Sequence, residues 1–449
     1  MRIKRISKAL AAAALASLAC AGSLNAQSSD ALIDKLVEKG ILTVKEANDL
    51  REETEKNFNA AYSVKSGMPD WVSALKFNGD FRGRYEGHYS DNPAFVDRHR
   101  LRYRIRFGVT ASLFDGFEVG LRLGSGDPVS GFSNNTGNPL SGSSTFQDNG
   151  SRKFVYIDLA YAKWMPMNSP AGSMAFTFGK MEMPFVFSHV VFDPDYNPEG
   201  FAGQLAFNLS GQQSLKFNAG AFVLDELSAS SHDPYLLGAQ LRLDSAWTPK
   251  LATSIGVAML GISSRDSLNN VNVPNVNRGN TRGTNGVPVA HFNPIVGDAS
   301  VTYTLDSFPM YPGAFPIRVG GDFMHNPAVS EKNNAWSAGV VFGKAGKKHM
   351  WEVSYQYRYI GADSWYEEFP DDDFGAFYQA QQPNAGFTGA GAGFGGGTNV
   401  RGHVVKAGYS LFDSLTLNLT YYYGWLIDPS PAGSTSGTSH FMADLNWKF

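Results

Sequence analysis

The sequence predicts an all-β chain, a transmembrane antiparallel β-barrel of about 16 strands preceded by a short N-terminal helical segment. Three observations predict it. From Trp71 to the last residue, apolar and polar side chains alternate with a period of two. One segment, Arg98 to Arg106, carries an arginine at every second position. The links between the alternating segments are themselves alternately short and long.

The chain end shows the pattern most clearly. Phe441, Ala443, Leu445, Trp447 and Phe449 fall on one face of a strand, and Met442, Asp444, Asn446 and Lys448 on the other. A terminal strand exposes a row of unpaired backbone groups unless the sheet closes on itself, which removes the edge. Phe441, Leu445, Trp447 and Phe449 thus read as the lipid-facing signal of a closing strand.

The arginines decide which face meets lipid. Leu101, Tyr103, Ile105, Phe107, Val109, Ala111 and Leu113 alternate with Arg98, Arg100, Arg102, Arg104 and Arg106. An arginine at the lipid midplane costs about 2–4 kcal/mol, so five of them cannot face acyl chains. The preceding strand repeats the arrangement, with Leu75, Phe77, Gly79, Phe81, Gly83 and Tyr85 against Lys76, Asn78, Asp80, Arg82, Arg84 and Glu86. The arginine face must line water.

Strands are expected at 74–86, 97–113, 117–126, 152–164, 173–181, 201–209, 214–225, 235–247, 250–262, 293–305, 316–326, 334–344, 348–361, 398–411, 414–426 and 438–449. Tight links such as Phe114-Asp115-Gly116, Thr248-Pro249-Lys250, Ala345-Gly346-Lys347 and Phe412-Asp413-Ser414 contrast with long ones at 127–151, 182–200, 263–292 and 362–397. Short turns on one side of the membrane and long loops on the other are the arrangement of outer-membrane barrels. Trp164, Trp247, Trp447 and Phe449 suit an aromatic girdle at one rim, and Tyr85, Tyr359 and Trp425 at the other. Asp363 to Gly397 reads as a mobile outer loop. Its acids Glu367, Glu368, Asp371, Asp372 and Asp373 read as a solvated face.

The N-terminus fits export. Arg2, Lys4, Arg5 and Lys8 precede an Ala- and Leu-rich run from Ala9 to Ala21, and Leu24-Asn25-Ala26 offers a small-residue cleavage site. Residues 1–26 read as a signal peptide, too short to span a bilayer. Cys20 lies within it, and Ser17 stands where a lipoprotein signal wants Leu. Residues 27–69 carry the chain's helical signals, including the capping box Thr43 to Glu46, and are expected to form a periplasmic helical segment. Residues 70–449 form the barrel. Removing Arg2, Lys4, Arg5 and Lys8 from the 38 basic residues leaves 34 against 41 acidic ones, a net of −7. That balance argues against a nucleic-acid partner.

Chemistry beyond this is sparse. The nine histidines are scattered singly, with no metal-ligand spacing and no cofactor motif. Asp193, Asp195, Asn197 and Glu199 have the spacing that opens a calcium loop. Pro198 stands where such a loop needs Gly, and Gln204 where it needs a bidentate Glu, so a stiffened turn is the simpler reading. Gly391-Ala392-Gly393-Phe394-Gly395 has no helix after it to receive a phosphate. No Ser/His or Asp/His constellation points to an enzyme.

Several stretches together resemble the putative porin family of Gram-negative outer membranes. They are Ala31 to Thr43, Gly79 to Glu86, the Arg98–Arg106 ladder, Phe178 to Phe185 and Asp193 to Gly200. The resemblance implies a water-filled barrel in the cell outer membrane that passes small hydrophilic solutes. The partners it implies are outer-membrane lipid and lipopolysaccharide and the barrel-assembly machinery, with a homotrimer left open. The arginine ladder is also similar to that of phosphate-selective porins, whose loop lysines have no counterpart here.

In this reading Arg82, Arg84, Arg98, Arg100, Arg102, Arg104, Arg106 and Arg122 form a basic strip along one wall. The loop from Glu182 to Gly200, with Asp193, Asp195 and Glu199, takes the place of an inward-folded constriction loop. Acidic loop against basic wall sets up a transverse field and a weak anion preference. The plainer alternative is that the arginines pair with Asp80, Glu86, Glu118 and neighbouring acids to stiffen the wall. A channel dedicated to an anionic nutrient such as phosphate, and a non-conducting structural or adhesive barrel, remain as further alternatives. The last would fill its lumen with large side chains, whereas the inward positions look rich in Gly, Ser, Thr, Asn and Arg.

Overall fold

The computed structural model describes residues 69–91, 97–127, 141–268, 279–375, 397–428 and 437–449. The expected signal peptide, the helical segment up to residue 68, and the Gly391–Gly395 stretch lie outside these residues.

Sixteen long strands and one two-residue strand form a single antiparallel sheet: β1 (Val72–Ser90), β2 (Arg98–Leu113), β3 (Phe117–Gly126), β4 (Ser144–Thr145), β5 (Phe154–Ser169), β6 (Gly172–Lys180), β7 (Glu199–Ser210), β8 (Gln213–Val223), β9 (Tyr235–Ala246), β10 (Leu251–Ile262), β11 (Ile295–Leu305), β12 (Phe315–His325), β13 (Asn334–Gly343), β14 (Trp351–Ile360), β15 (Val400–Phe412), β16 (Leu415–Leu426) and β17 (Thr438–Lys448). Each long strand pairs with its sequence neighbours, β3 pairing directly with β5, and β1 pairs with β17. The sheet is therefore a closed 16-stranded barrel. The small β4 was not expected; it adds two residues beside β2, opposite Arg102 and Tyr103.

Closure runs from Asp80 opposite Lys448 to Ser90 opposite Thr438. It continues through a backbone pair between Gly79 and Phe449, at 2.9 and 3.1 Å. A Cβ on Gly79 would run into the Phe449 ring and the Arg106 carbonyl oxygen, so this position has room only for glycine. The links alternate as the sequence implied. Two-residue turns join β5 to β6, β7 to β8 and β15 to β16, while long segments follow β3, β6, β10 and β14. In the β2–β3 link Asp115 and Gly116 both take positive φ, at 59° and 76°, which turns the chain within three residues.

Two faces separate cleanly on β2. Leu101, Ile105 and Phe107 are exposed on the outside, while Arg102 and Arg104 are buried inside. Trp164, Trp247 and Phe449 are exposed, and Trp164 stacks on Phe117 across the β3–β5 register. Ile105 lies midway along β2. Its replacement by Arg is expected to cost about 2–4 kcal/mol in urea unfolding from lipid vesicles. Thr110→Arg, which points into the lumen, is expected to change stability by no more than about 0.5 kcal/mol.

Candidate functional site

The inner faces of β1 and β2 carry the basic wall, and their acids are interleaved with it. Asp80, Arg82, Arg84, Glu86 and His88 point inward at every second residue of β1. Arg100 makes a bidentate pair with Glu86, both bonds at 2.7 Å, and Arg102 approaches the same carboxylate at 3.4 Å. Asp80 accepts from Arg106 at 2.7 Å and Arg104 at 3.1 Å. Arg84 forms a bidentate pair with Asp444 across the barrel seam, at 2.7 and 2.8 Å. On β3, Arg122 donates to Asp158 of β5. Arg82 donates to the Ser143 hydroxyl at 2.7 Å, and Arg98 stands exposed at the outer end of β2. Glu118, expected among the pairing acids, instead accepts from the Tyr161 hydroxyl at 2.9 Å.

The segment after β6, residues 181–198, folds into the lumen. Val190, Val191, Phe192 and Asp193 are buried there. Gln240 of β9 pins its backbone by holding Val186 N and O, at 2.9 and 2.7 Å, and the Ser188 hydroxyl donates to Asp322 of β12. Two of its acids reach the basic wall: Asp195 accepts from Arg104 at 3.1 Å and Glu182 from Arg122 at 2.8 Å. Glu199, the first residue of β7, instead pairs with Lys180 at 2.9 Å. Asp193 points away from the wall. Its carboxylate accepts from the backbone N–H of Asp195 and of Asp372, and burial together with the neighbouring Asp372 and Asp371 pushes its carboxyl well above the usual range.

A second inward lobe, residues 361–375, overturns the expectation of a solvated acidic loop face. Glu367 and Asp371 are buried within the barrel. Arg282 and Glu367 form an ion pair with both side chains removed from solvent, and Arg358 donates to Asp371 at 2.6 Å while lying over the Phe374 ring. Burial alone would raise the Asp371 carboxyl, but Arg358 and then His189 outweigh it and hold it below the usual carboxylate range. The two lobes are knitted together: Trp365 Nε1 donates to Val191 O, and Asp193 N to Phe369 O.

The seat for these lobes is apolar, which corrects the expectation of inward positions made mainly of small and polar residues. Phe222, Leu236, Leu260, Val296, Met324 and Ile360 all point inward and pack with Val191, Phe192, Phe292 and Trp365 in one buried cluster. The arc from β8 to β14 thus holds the lobes, and the arc from β1 to β5 holds the charges. Between the charged arc and the segment after β6 a cavity of about 540 Å³ is bordered by Arg104, Arg106, Asp158, Lys180, Asp195 and Glu199. A second, of about 370 Å³, is bordered by Arg122, Lys163, Glu182 and Gln204, and a third, of about 700 Å³, by Asp244, Ser254 and Thr302.

Sequence reading missed Asp158, Asp444 and the inward role of Asp371 and Asp373. Their period-two positions were visible, but their partners lie on strands far away in the chain. It also read the histidines as scattered. The β1–β17 register sets His88 directly opposite His440, with ring centroids 4.1 Å apart.

Residues 92–272 match the family described as putative porin. That match spans well under half of the chain and lies within a closed 16-stranded antiparallel barrel. No curated relative matches the chain. Solved structures similar to it include the high-pH structure of Pseudomonas putida OprB, 12% identical, covering 87% of this chain and 97% of that one with a TM-score of 0.48. A mutant Rh. blastica porin is 8% identical over 84% of this chain and 100% of that one, TM-score 0.40. A loop-deletion mutant of Vibrio cholerae OmpT is 11% identical over 84% and 99%, TM-score 0.42.

The buried Arg358–Asp371 pair sets a measurable constraint on this barrel. Arg358→Met leaves a carboxylate buried without its cation, and is expected to destabilise the fold by about 3–5 kcal/mol in urea. The double variant Arg358→Met/Asp371→Leu removes both charges and is expected to recover most of that loss.

Proposed function

We propose that the barrel passes small hydrophilic solutes and ions by passive diffusion, with a weak preference for anions. The observation that carries this reading is the division of the lumen: inward-folded lobes cover one arc, and a cavity remains against the opposite arc of arginines. A ring of about sixteen strands is wider than side chains can fill, so what the loops leave open is water. Solutes in that space meet the guanidinium groups of Arg104 and Arg106 beside the carboxylates of Asp158, Asp195 and Glu199. The resulting transverse field orients dipolar solutes and biases ion choice.

The preference is weak because the wall carries its own counter-charges. Arg84, Arg100, Arg102, Arg104, Arg106 and Arg122 all lie within 4.0 Å of a carboxylate. Arg82, bonded to a neutral serine, and the exposed Arg98 supply the positive surplus. Pairing holds the arginines in place, and the same pairing lowers the field they project. The wall-stiffening role and the selectivity role thus belong to one network.

Single channels reconstituted in a planar bilayer are expected to conduct. Under a KCl gradient the reversal potential is expected to show modest anion preference. The double variant Arg104→Glu/Arg106→Glu is expected to shift it toward cations, with a larger shift at low salt because screening is weaker there. A non-conducting barrel, or clear cation selectivity in the unmodified protein, would overturn the proposal.

A further inference from the structure

The barrel seam gathers three side chains that the permeation reading does not use. Glu86 and His88 share the inward face of β1, and His440 faces them from β17. All three are almost wholly buried, at 0%, 1% and 3% side-chain exposure. The Nε2 atoms of His88 and His440 lie 3.5 and 3.6 Å from the same oxygen, Oε1 of Glu86. One ligand atom from each residue fits within a sphere of mutual distances no larger than 4.8 Å.

We propose that Glu86, His88 and His440 bind a borderline transition-metal cation, with Zn²⁺ the best match, on the inner wall across the β1–β17 seam. The spacing is the first argument. Ligand atoms about 2.0–2.2 Å from a tetrahedral zinc ion stand about 3.3–3.6 Å apart, and the two nitrogen–oxygen separations, 3.5 and 3.6 Å, fall in that range.

The second argument is how the ligands are held. His440 Nδ1 lies 3.0 Å from the backbone carbonyl of Asp373, which can only accept, so Nδ1 carries the proton and Nε2 is the atom turned to Glu86. A ligating imidazole is typically fixed in this way through its other ring nitrogen. Glu86 is in turn oriented by its bidentate Arg100 pair.

Charge does not forbid a cation here. Arg84, Arg100 and Arg102 surround the group, but Glu86, Asp444, Asp373 and Asp127 lie in the same network. Two imidazoles and one carboxylate leave a fourth tetrahedral position for water. Nitrogen donors also favour zinc, copper or nickel over calcium or magnesium, which take oxygen ligands. A bound ion would tie the first and last strands of the barrel together from the inside.

The test is zinc binding to the full folded barrel in detergent, measured by equilibrium dialysis with metal analysis and by calorimetry. One Zn²⁺ per chain is expected, with no Ca²⁺ bound at the same concentration. His88→Ala and His440→Ala are each expected to weaken zinc binding by about tenfold or more. Heat-shifted gel mobility establishes that each variant is folded. Zinc-edge X-ray absorption of the unmodified protein supplies a readout that needs no variant, and two imidazole nitrogens in the first shell are expected. No zinc uptake, unchanged affinity in both variants, or an all-oxygen shell would each overturn the proposal.

Discussion

The structure depends on one constraint: within an apolar phase no strand can leave its backbone N–H and C=O groups unpaired. The pairing of β1 with β17 meets it, running through eleven registered residue pairs and on to Gly79 and Phe449. Closing the ring leaves every strand with one outward and one inward face. Charged residues then have a single acceptable direction. Because β1 and β17 are the first and last strands among the described residues, their inward side chains meet across the seam: Asp80 opposite Lys448, Arg84 opposite Asp444, His88 opposite His440. The seam is closed by hydrogen bonds and lined by ionisable groups at the same positions.

Ring size sets the next problem. A barrel this wide has a lumen that strand side chains cannot fill, so its segments between strands must shape the passage. Here two of them do so in different ways. The lobes rest on a hydrophobic arc, where Phe222, Leu236 and Ile360 supply an apolar seat that would be costly if left facing water. Inside the lobes, charges survive only as close pairs, Arg282 with Glu367 and Arg358 with Asp371, because an unpaired charge in that setting loses its hydration without return. On the opposite arc the pairs remain partly open to solvent, as with Glu182 and Glu199, so their charges keep part of their hydration.

The same arginines serve stiffness and electrostatics. Arg104 bridges Asp80 of the wall and Asp195 of the inward segment, and in the permeation proposed above it would fix the width of the gap that it also polarises. Width and field are coupled through that side chain.

Strand positions were legible in the residues, down to the limits of 117–126 on β3, because alternation between two solvents is a local pattern. The inward direction of the arginines was legible for the same reason: lipid penalises a guanidinium wherever it lies in the chain. The acids of 367–373 were misread, since Glu367 looks solvated until Arg282 is brought beside it, and Asp371 until Arg358 is. The apolar seat was missed because its residues occupy inward positions that only the folded lobes remove from water. His88 and His440 lie near opposite ends of the chain, so no spacing rule joins them. The residues alone determined which face each strand turns to lipid; the closed ring decided which side chains meet inside it, because contacts across a barrel depend on closure and register and not on distance along the sequence.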